Sequence, residues 1–167
     1  MYTIQKHLQY NAWAHGKMVE TLSNLAEKLF DAEIISSFPS IRKTLFHIWD
    51  AEQIWLTRLQ GGTASGWPSA NFKGDTKALL QGYVTTSNQL AQFVADKEPE
   101  YFEQLLHYKN TKGIEFSNPI EDILFHVVNH GSYHRGQLTT MLRQLGIDKI
   151  APQDLIAYVR LLQTQAV

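Results

Sequence analysis

The sequence predicts an all-α fold: a four-helix bundle with a small β-hairpin before the fourth long helix and a short C-terminal helix. Three observations carry this expectation. Four long segments repeat apolar residues at three- and four-residue steps. Turn-rich, polar linkers separate them. At 167 residues the chain is long enough for one sizeable core, so residues 1–167 are expected to form a single domain.

The first helical segment runs from about Thr3 to Phe30, with Ile4, Leu8, Ala12, Val19, Leu22, Leu25, Ala26 and Leu29 on the apolar period. The second starts near "SSFPS", where Ser37 or Ser40 suits the N-cap and Pro39 the first turn, and it stops at Gly61-Gly62. The stretch "GGTASGWPSANFKGD" then reads as a surface loop. Asp75 is the expected cap of the third segment, which continues through Leu79, Leu80, Tyr83, Leu90 and Phe93 to about Asp96. Leu106-His107-Tyr108 and Ile114-Glu115-Phe116 flank the turn-rich "KNTKG" and predict the hairpin. The fourth helix opens at Asn118-Pro119-Ile120-Glu121, read as an Asn cap with Pro at the first position and Glu at the third; Gly146 ends it. A last short helix follows Pro152. No internal repeat or low-complexity tract interrupts this order.

Fifteen Lys+Arg against sixteen Asp+Glu leave a formal charge of -1, which provides no electrostatic footprint for nucleic acid or an anionic membrane. No charge-free apolar run of about 18 residues is present, so no membrane span is expected. The start, "MYTIQKHLQYNAWAHGK", lacks the layout of a signal peptide, and a cytoplasmic location is expected. The absence of cysteine excludes disulfides, a cysteine nucleophile and a thiolate metal ligand from the chain itself.

The segment "ILFHVVNHGSYHRGQ" places His126, His130 and His134 four residues apart inside the fourth helix. On a helical wheel with Pro119 at zero they fall at roughly 340°, 20° and 60°, while Ile120, Ile123, Val127, Leu138, Met141 and Leu145 occupy roughly 40–100°. The three rings are therefore expected on or beside the buried stripe, away from solvent. Burying imidazoles without partners is costly, and two at i and i+4 can converge on one metal ion. His126 and His134 are about 12 Å apart along the axis, so one pair must be chosen, and His130 with His134 lies closer to the stripe's centre. A third ligand must come from another helix. His47, in "SIRKTLFHIWDAEQIWLTRLQGG", lies to the side of the stripe of Ile41, Leu45, Ile48, Trp55 and Leu59, where it faces a neighbouring helix. His7 and His15 sit on what read as more polar faces, and His107 lies in the hairpin.

The strings "FPSIRKTLFHIWDAEQIWLTRLQG", "HVVNHGSYHRGQLTTMLRQLG" and "YNAWAHGKMVETL" together resemble the DinB/YfiT-like family of small bacterial four-helix-bundle proteins, the damage-inducible family rather than the polymerase of the same name. The resemblance extends over nearly the whole chain, including the final "PQDLIAYVRLL". It implies one divalent metal ion, nickel, zinc or iron, held by one histidine of the second helix and two of the fourth: His47, His130 and His134. His126 would match a position that often carries histidine without binding metal. It further implies a homodimer and a thiol-dependent activity on a small-molecule substrate, such as bacillithiol transfer or mycothiol-dependent isomerisation, with a low-molecular-weight thiol as co-substrate.

Glu52 falls near the centre of its helix's apolar stripe, where a carboxylate must be paired or protonated. It and Arg135 are candidates for groups supporting the metal ligands, and Glu52 for one that polarises a substrate; an ion pair of Glu52 with Arg135, Arg58 or a group on another helix is the blander and favoured expectation. Asp50 draws the same question. Arg135 and Gln137 belong to the family-like string but serve equally well as helix-joining residues, and Trp13, Trp49 and Trp55 read as core. No Glu-x-x-His, His-Glu-x-x-His or Gly-x-Ser-x-Gly occurs, which argues against a di-iron bundle, a zincin and a serine hydrolase. Two function classes remain. One is a metal-dependent S-transferase or hydrolase; the other is a metal-stabilised binding or stress-response module without turnover. Ligand protonation is expected to weaken metal binding below about pH 6.5.

Overall fold

Polar caps start the first three long helices. Thr3 accepts from Lys6 N at 3.4 Å, Ser40 from Lys43 N at 3.3 Å and Asp75 from Ala78 N at 2.8 Å, each satisfying one of the donors a helix start leaves free. The helices they open are α1 (Ile4–Leu22), α2 (Ile41–Leu59) and α3 (Thr76–Phe93). The computed structural model that shows them describes residues 2–63 and 66–165. Ala64 and Ser65, inside the expected surface loop, lie outside the described residues, as do Met1, Ala166 and Val167 at the ends of the expected domain.

The first helix stops eight residues earlier than the apolar period suggests. Asn24 turns its side-chain amide back to Glu20 O at 3.0 Å, and a single 3-10 turn, Glu27–Leu29, follows. Asn competes with the backbone for hydrogen bonds, and here that competition ends the helix before Leu25 and Leu29 are reached. Pro39 lies outside α2, one residue ahead of the Ser40 cap. A second 3-10 turn, Pro68–Asn71, occupies the polar linker after α2.

A short helix the sequence reading missed, α4 (Pro99–Glu103), carries Pro99 in its first turn. The hairpin is as expected: β1 (Leu105–Lys109) pairs antiparallel with β2 (Glu115–Pro119), Leu105 opposite Pro119 and Lys109 opposite Glu115. It runs directly into α5 (Ile120–Gln144), and α6 (Leu155–Gln165) closes the chain. The Asn118 cap is not formed. Asn118 is still strand, its side chain accepts from Tyr108 OH at 2.9 Å, and the free N–H of Ile120 is satisfied by Gln104 O at 2.9 Å. The hairpin itself does the work of a cap.

Both α1 and α2 pack against α3 and α5, so the ring order around the bundle is α1, α3, α2, α5. Consecutive α1 and α2 therefore stand across the bundle from one another, and the connection between them is anchored by Phe30 and Ile34, both buried. α4 packs on α5, and α6 on α1. The apolar core falls into two clusters, one around Leu8, Leu56, Leu90 and Leu124 and the other around Met18, Leu45, Tyr83 and Leu138. No helix among the described residues is long and apolar enough to cross a membrane.

Candidate metal centre

Helix α2 brings His47 to the face of α5 that carries His130 and His134. His47 Nε2 and His130 Nε2 are 2.9 Å apart, and one ring nitrogen from each of the three histidines lies within 4.8 Å of the others. Their ring centroids are separated by 4.8, 4.6 and 4.5 Å for the pairs 47–130, 47–134 and 130–134. Sequence reasoning named these residues, and the structure brings all of them together.

Burial along the ladder follows the wheel. His134, nearest the stripe's centre, is buried, His130 is half-buried, and His126, at the stripe's edge, is exposed. The expectation that all three rings avoid solvent is therefore wrong for His126. Its ring lies 6.0 Å from that of Trp55 and 6.0 Å from that of His130, outside the cluster.

Two neighbours set the rings. His134 Nδ1 is 2.8 Å from Gln137 Oε1, an arrangement in which Nδ1–H donates, and Gln137 is in turn fixed by donating to Ser37 Oγ at 2.9 Å. This leaves His134 Nε2 as a free lone pair, the hydrogen-bonded support that metal-binding imidazoles ordinarily have. Phe38 stacks on His47 at 4.2 Å between centroids. Burial, then His134, His47 and His126, holds His130 down at about 3. Burial and His134 also lower His47, with Asp50 pulling weakly the other way. Asp50 itself accepts from Ser69 N at 2.9 Å and Ser69 Oγ at 2.5 Å, tying the Pro68–Asn71 turn to α2. Three converging imidazole nitrogens, two of them held in the neutral form, make a donor set suited to a borderline divalent ion.

Behind the histidines lies a buried polar layer that sequence reasoning largely missed. Glu52 was expected to form an ion pair with Arg135, Arg58 or a group on another helix. Instead Asn11 stands between it and Arg135, donating to Glu52 Oε1 at 2.7 Å and accepting from Arg135 Nη1 at 2.6 Å. Arg58 is elsewhere, at the hairpin. Asn11 also donates to Ser87 Oγ at 3.1 Å. His15, placed on a polar face by the sequence reading, is completely buried, with its ring 4.1 Å from that of Tyr83. Its Nδ1 is 3.6 Å from Glu52 Oε1, but burial and Arg135 hold His15 neutral, so the two do not form an ion pair. Burial raises Glu52 to about 7 against the opposing pull of Asn11, Arg135 and Ser87.

A signal for this layer was present. Ile4, Leu8, Asn11, His15, Met18 and Leu22 follow one alternating four-three step, as do Leu124, Val128, Gly131, Arg135, Leu138 and Leu142. Gly131 is required where the layer meets α5: a Cβ there would stand 2.8 Å from Asn11 Oδ1 and 3.1 Å from Arg135 Nη1. Of the tryptophans, Trp13, Trp49 and Trp55 pack on the core, and Trp49 donates to Thr86 Oγ1 at 2.8 Å.

A cavity of about 770 Å³ is present that the three histidines do not line. It lies between the C-terminal end of α2 and the hairpin; Trp55, just outside its lining, has its ring 5.0 Å from that of Tyr108 and 6.0 Å from that of His126.

The sequence model of the DinB family matches residues 1–161. Protein DinB of Bacillus subtilis (strain 168) is 30% identical over 167 residues, covering 96% of this chain and 95% of that protein. Among solved structures, a DinB-like protein from Bacillus cereus ATCC 10987 superposes with a TM-score of 0.65 at 21% identity, over 87% of this chain and 95% of that one. YfiT from Bacillus subtilis, described as a probable metal-dependent hydrolase with an unusual four-helix bundle topology, superposes with a TM-score of 0.68 at 13% identity, over 86% and 87%. A bundle whose α2 and α5 meet at three histidines, on a sequence that follows the family pattern almost end to end, belongs to the DinB family.

Proposed function

We propose that this protein is a divalent-metal-dependent enzyme acting on a small molecule, with His47, His130 and His134 as the metal ligands. The observation that carries the reading is the cluster itself: three imidazole nitrogens from two helices within 4.8 Å, with Gln137 orienting His134. Nickel, zinc or iron suits these ligands. The likeness to YfiT, described as a probable metal-dependent hydrolase, points the same way. A bound ion would supply Lewis acidity and lower the pKa of a coordinated water or thiol.

The chain's own contribution is positioning and access. Gln137 and Phe38 hold two of the rings, and the half-burial of His47 and His130 leaves the site open on one side. Three protein ligands leave coordination positions for exchange. With no cysteine in the chain, a thiol nucleophile must be a small molecule; its sulfur would bond to the electrophile's carbon as the leaving group departs. Hydrolysis would use the same ligands with water. A homodimer belongs to this reading through the family likeness and a cytoplasmic location through the sequence, and sedimentation equilibrium tests the first.

Metal analysis of purified protein should find close to one divalent ion per chain. His130→Ala and His134→Ala should lose it, while His126→Ala should keep it; equal loss at His126 would sink the ligand assignment. Metal-loaded protein is then assayed with low-molecular-weight thiols and a chromogenic electrophile, beside esters and amides without thiol. Thiol-dependent turnover abolished by His47→Ala supports transfer, and thiol-independent turnover abolished by it supports hydrolysis. Metal binding without turnover in either assay would leave the non-catalytic binding module.

A further inference from the structure

We propose that the cavity between α2 and the hairpin is the substrate pocket, and that Arg58 makes it selective for small molecules joining an apolar body to an anionic group, a carboxylate or a phosphate. This names the substrate class for the reading above and, as a substrate site, rests on it.

The cavity, about 770 Å³, falls within the usual range for small-ligand sites. Its walls set Ile54, Trp67, Leu106, Tyr108 and Phe116 beside polar groups, so a ligand would meet both apolar and polar surface. Trp67 and Phe116 are 41% and 45% exposed, so both leave apolar surface open in the wall. Charge in the wall is limited to Arg58, Lys109 and Glu115, with His107 as the one other titratable group beside Tyr108. Lys109 and Glu115 neutralise each other across the hairpin, Nζ to Oε1 at 3.2 Å.

Arg58 is left as the uncompensated charge. Its guanidinium carbon lies 4.7 Å from the Trp55 ring centroid and 4.8 Å from that of Tyr108, held between two aromatic groups. Nη2 donates to Lys109 O at 2.8 Å. Among the described residues no carboxylate lies within ion-pair distance of it. A guanidinium has five N–H donors in a planar fork that matches carboxylate and phosphate oxygens. The bond to Lys109 O uses one of them. Partial burial pushes Arg58 below its ordinary value, the signature of a cation that has lost water without gaining an anion. The carbonyl end of α2 favours a cation in its last turn and helps keep Arg58 in place, but it supplies no counter-ion.

Location gives the pocket its role. From Tyr108 the ring contacts run to Trp55, then His126, then His130, at 5.0, 6.0 and 6.0 Å between centroids. A ligand anchored by its anionic end at Arg58 would lie at the Tyr108 end of this ring sequence, with Trp55 and His126, which do not line the cavity, between it and the histidine cluster.

The test is calorimetric titration with three matched probes: 3-phenylpropionate, its neutral amide and phenyl phosphate. Wild-type protein should bind the carboxylate or the phosphate about tenfold or more tighter than the amide, as expected of a charge-assisted hydrogen bond. The stronger of the two anions identifies the group recognised. Arg58→Gln should remove the preference, Arg58→Lys should keep part of it, and the amide's affinity should be unchanged in both. Equal binding of anion and amide by the wild type overturns the proposal, as does failure of all three to bind. Because the wild-type comparison is decisive, a hairpin loosened by the variants does not confuse the outcome. The same titration on His130→Ala keeps the two readings apart: metal loss with the anion preference intact speaks to the histidines alone. A wild type that binds metal and shows no preference leaves the metal reading standing without this one.

Discussion

Glu52 shows what burial does to a single carboxyl group. It is 1% exposed, and Oε2 has no hydrogen-bond partner among the described residues, as is also true of His15 Nδ1 and Nε2 and of Tyr83 OH. The folded chain holds Glu52 at about 7 against an ordinary 4.5, so its contribution to stability is fully present below pH 4.5 and is lost as pH rises to about 7. His15 acts in the opposite sense. Its folded value is depressed, so its contribution is present above pH 6.5 and is lost on acidification. Glu52→Gln should therefore gain on the parent by up to about 3 kcal/mol between pH 4.5 and pH 8. Urea denaturation across that range measures the difference, and a flat profile would show that Glu52 titrates normally. The same logic bears on the proposed metal ligands. Because His47 and His130 are held low, their metal-binding form persists at a more acidic pH than for a free imidazole, and the onset of metal loss should lie below the expected 6.5.

At the scale of the element, α5 carries three tasks in one helix. His130 and His134 face α2, Gly131 and Arg135 face the buried layer, and Leu124, Val128, Leu138 and Leu142 fill the two core clusters. Three- and four-residue spacings allow this, since adjacent positions turn to different neighbours. Gly131 is the tightest point. In an ordinary helix interior Gly→Ala would add about 1 kcal/mol of stability. Here the new methyl would meet Asn11 Oδ1, which cannot yield without breaking its bond to Arg135. Gly131→Ala should therefore destabilise by about 1–3 kcal/mol. It should also weaken metal binding, because His130 is the adjacent residue. A more stable variant with unchanged metal affinity would show that the layer and the histidines are independent.

For the whole molecule, the decisive feature is that α2 and α5 are neighbours in the ring while far apart in the chain. An ion held by His47 from one and by His130 and His134 from the other would clamp the two helices. It would bind the folded chain and not the unfolded one. At a free metal concentration about 100 times Kd this adds about 2.7 kcal/mol, which for a chain of this size raises Tm by about 5–10 °C. Thermal unfolding with and without chelator checks the shift, and His47→Ala should abolish it. An equal shift in that variant would mean the ion binds elsewhere.

Periodicity and caps in the sequence located the four long helices, but neither the end of α1 nor the short α4. Ser40 and Asp75 cap where expected, Gly61 and Gly146 take positive φ at the stops, and the hairpin forms around "KNTKG". These signals are local, each decided by atoms a few residues apart. The convergence of His47 with His130 and His134 was legible for a related reason: a histidine beside an apolar stripe can reach a neighbouring helix, and few helices were available. What tertiary structure alone decided was how far each position is covered. His15 looks polar in its own helix, yet it is completely buried because the other helices of the bundle enclose it, while His126 on a similar ladder stays in solvent. Asn118 had the chemistry of a cap but was taken up by the strand pairing with β1. Asn11, Glu52, Ser87 and Arg135 come from four different helices, and no spacing within one helix encodes a contact among them. Their meeting depends on the ring order of the bundle, a property of packing between segments distant in the chain.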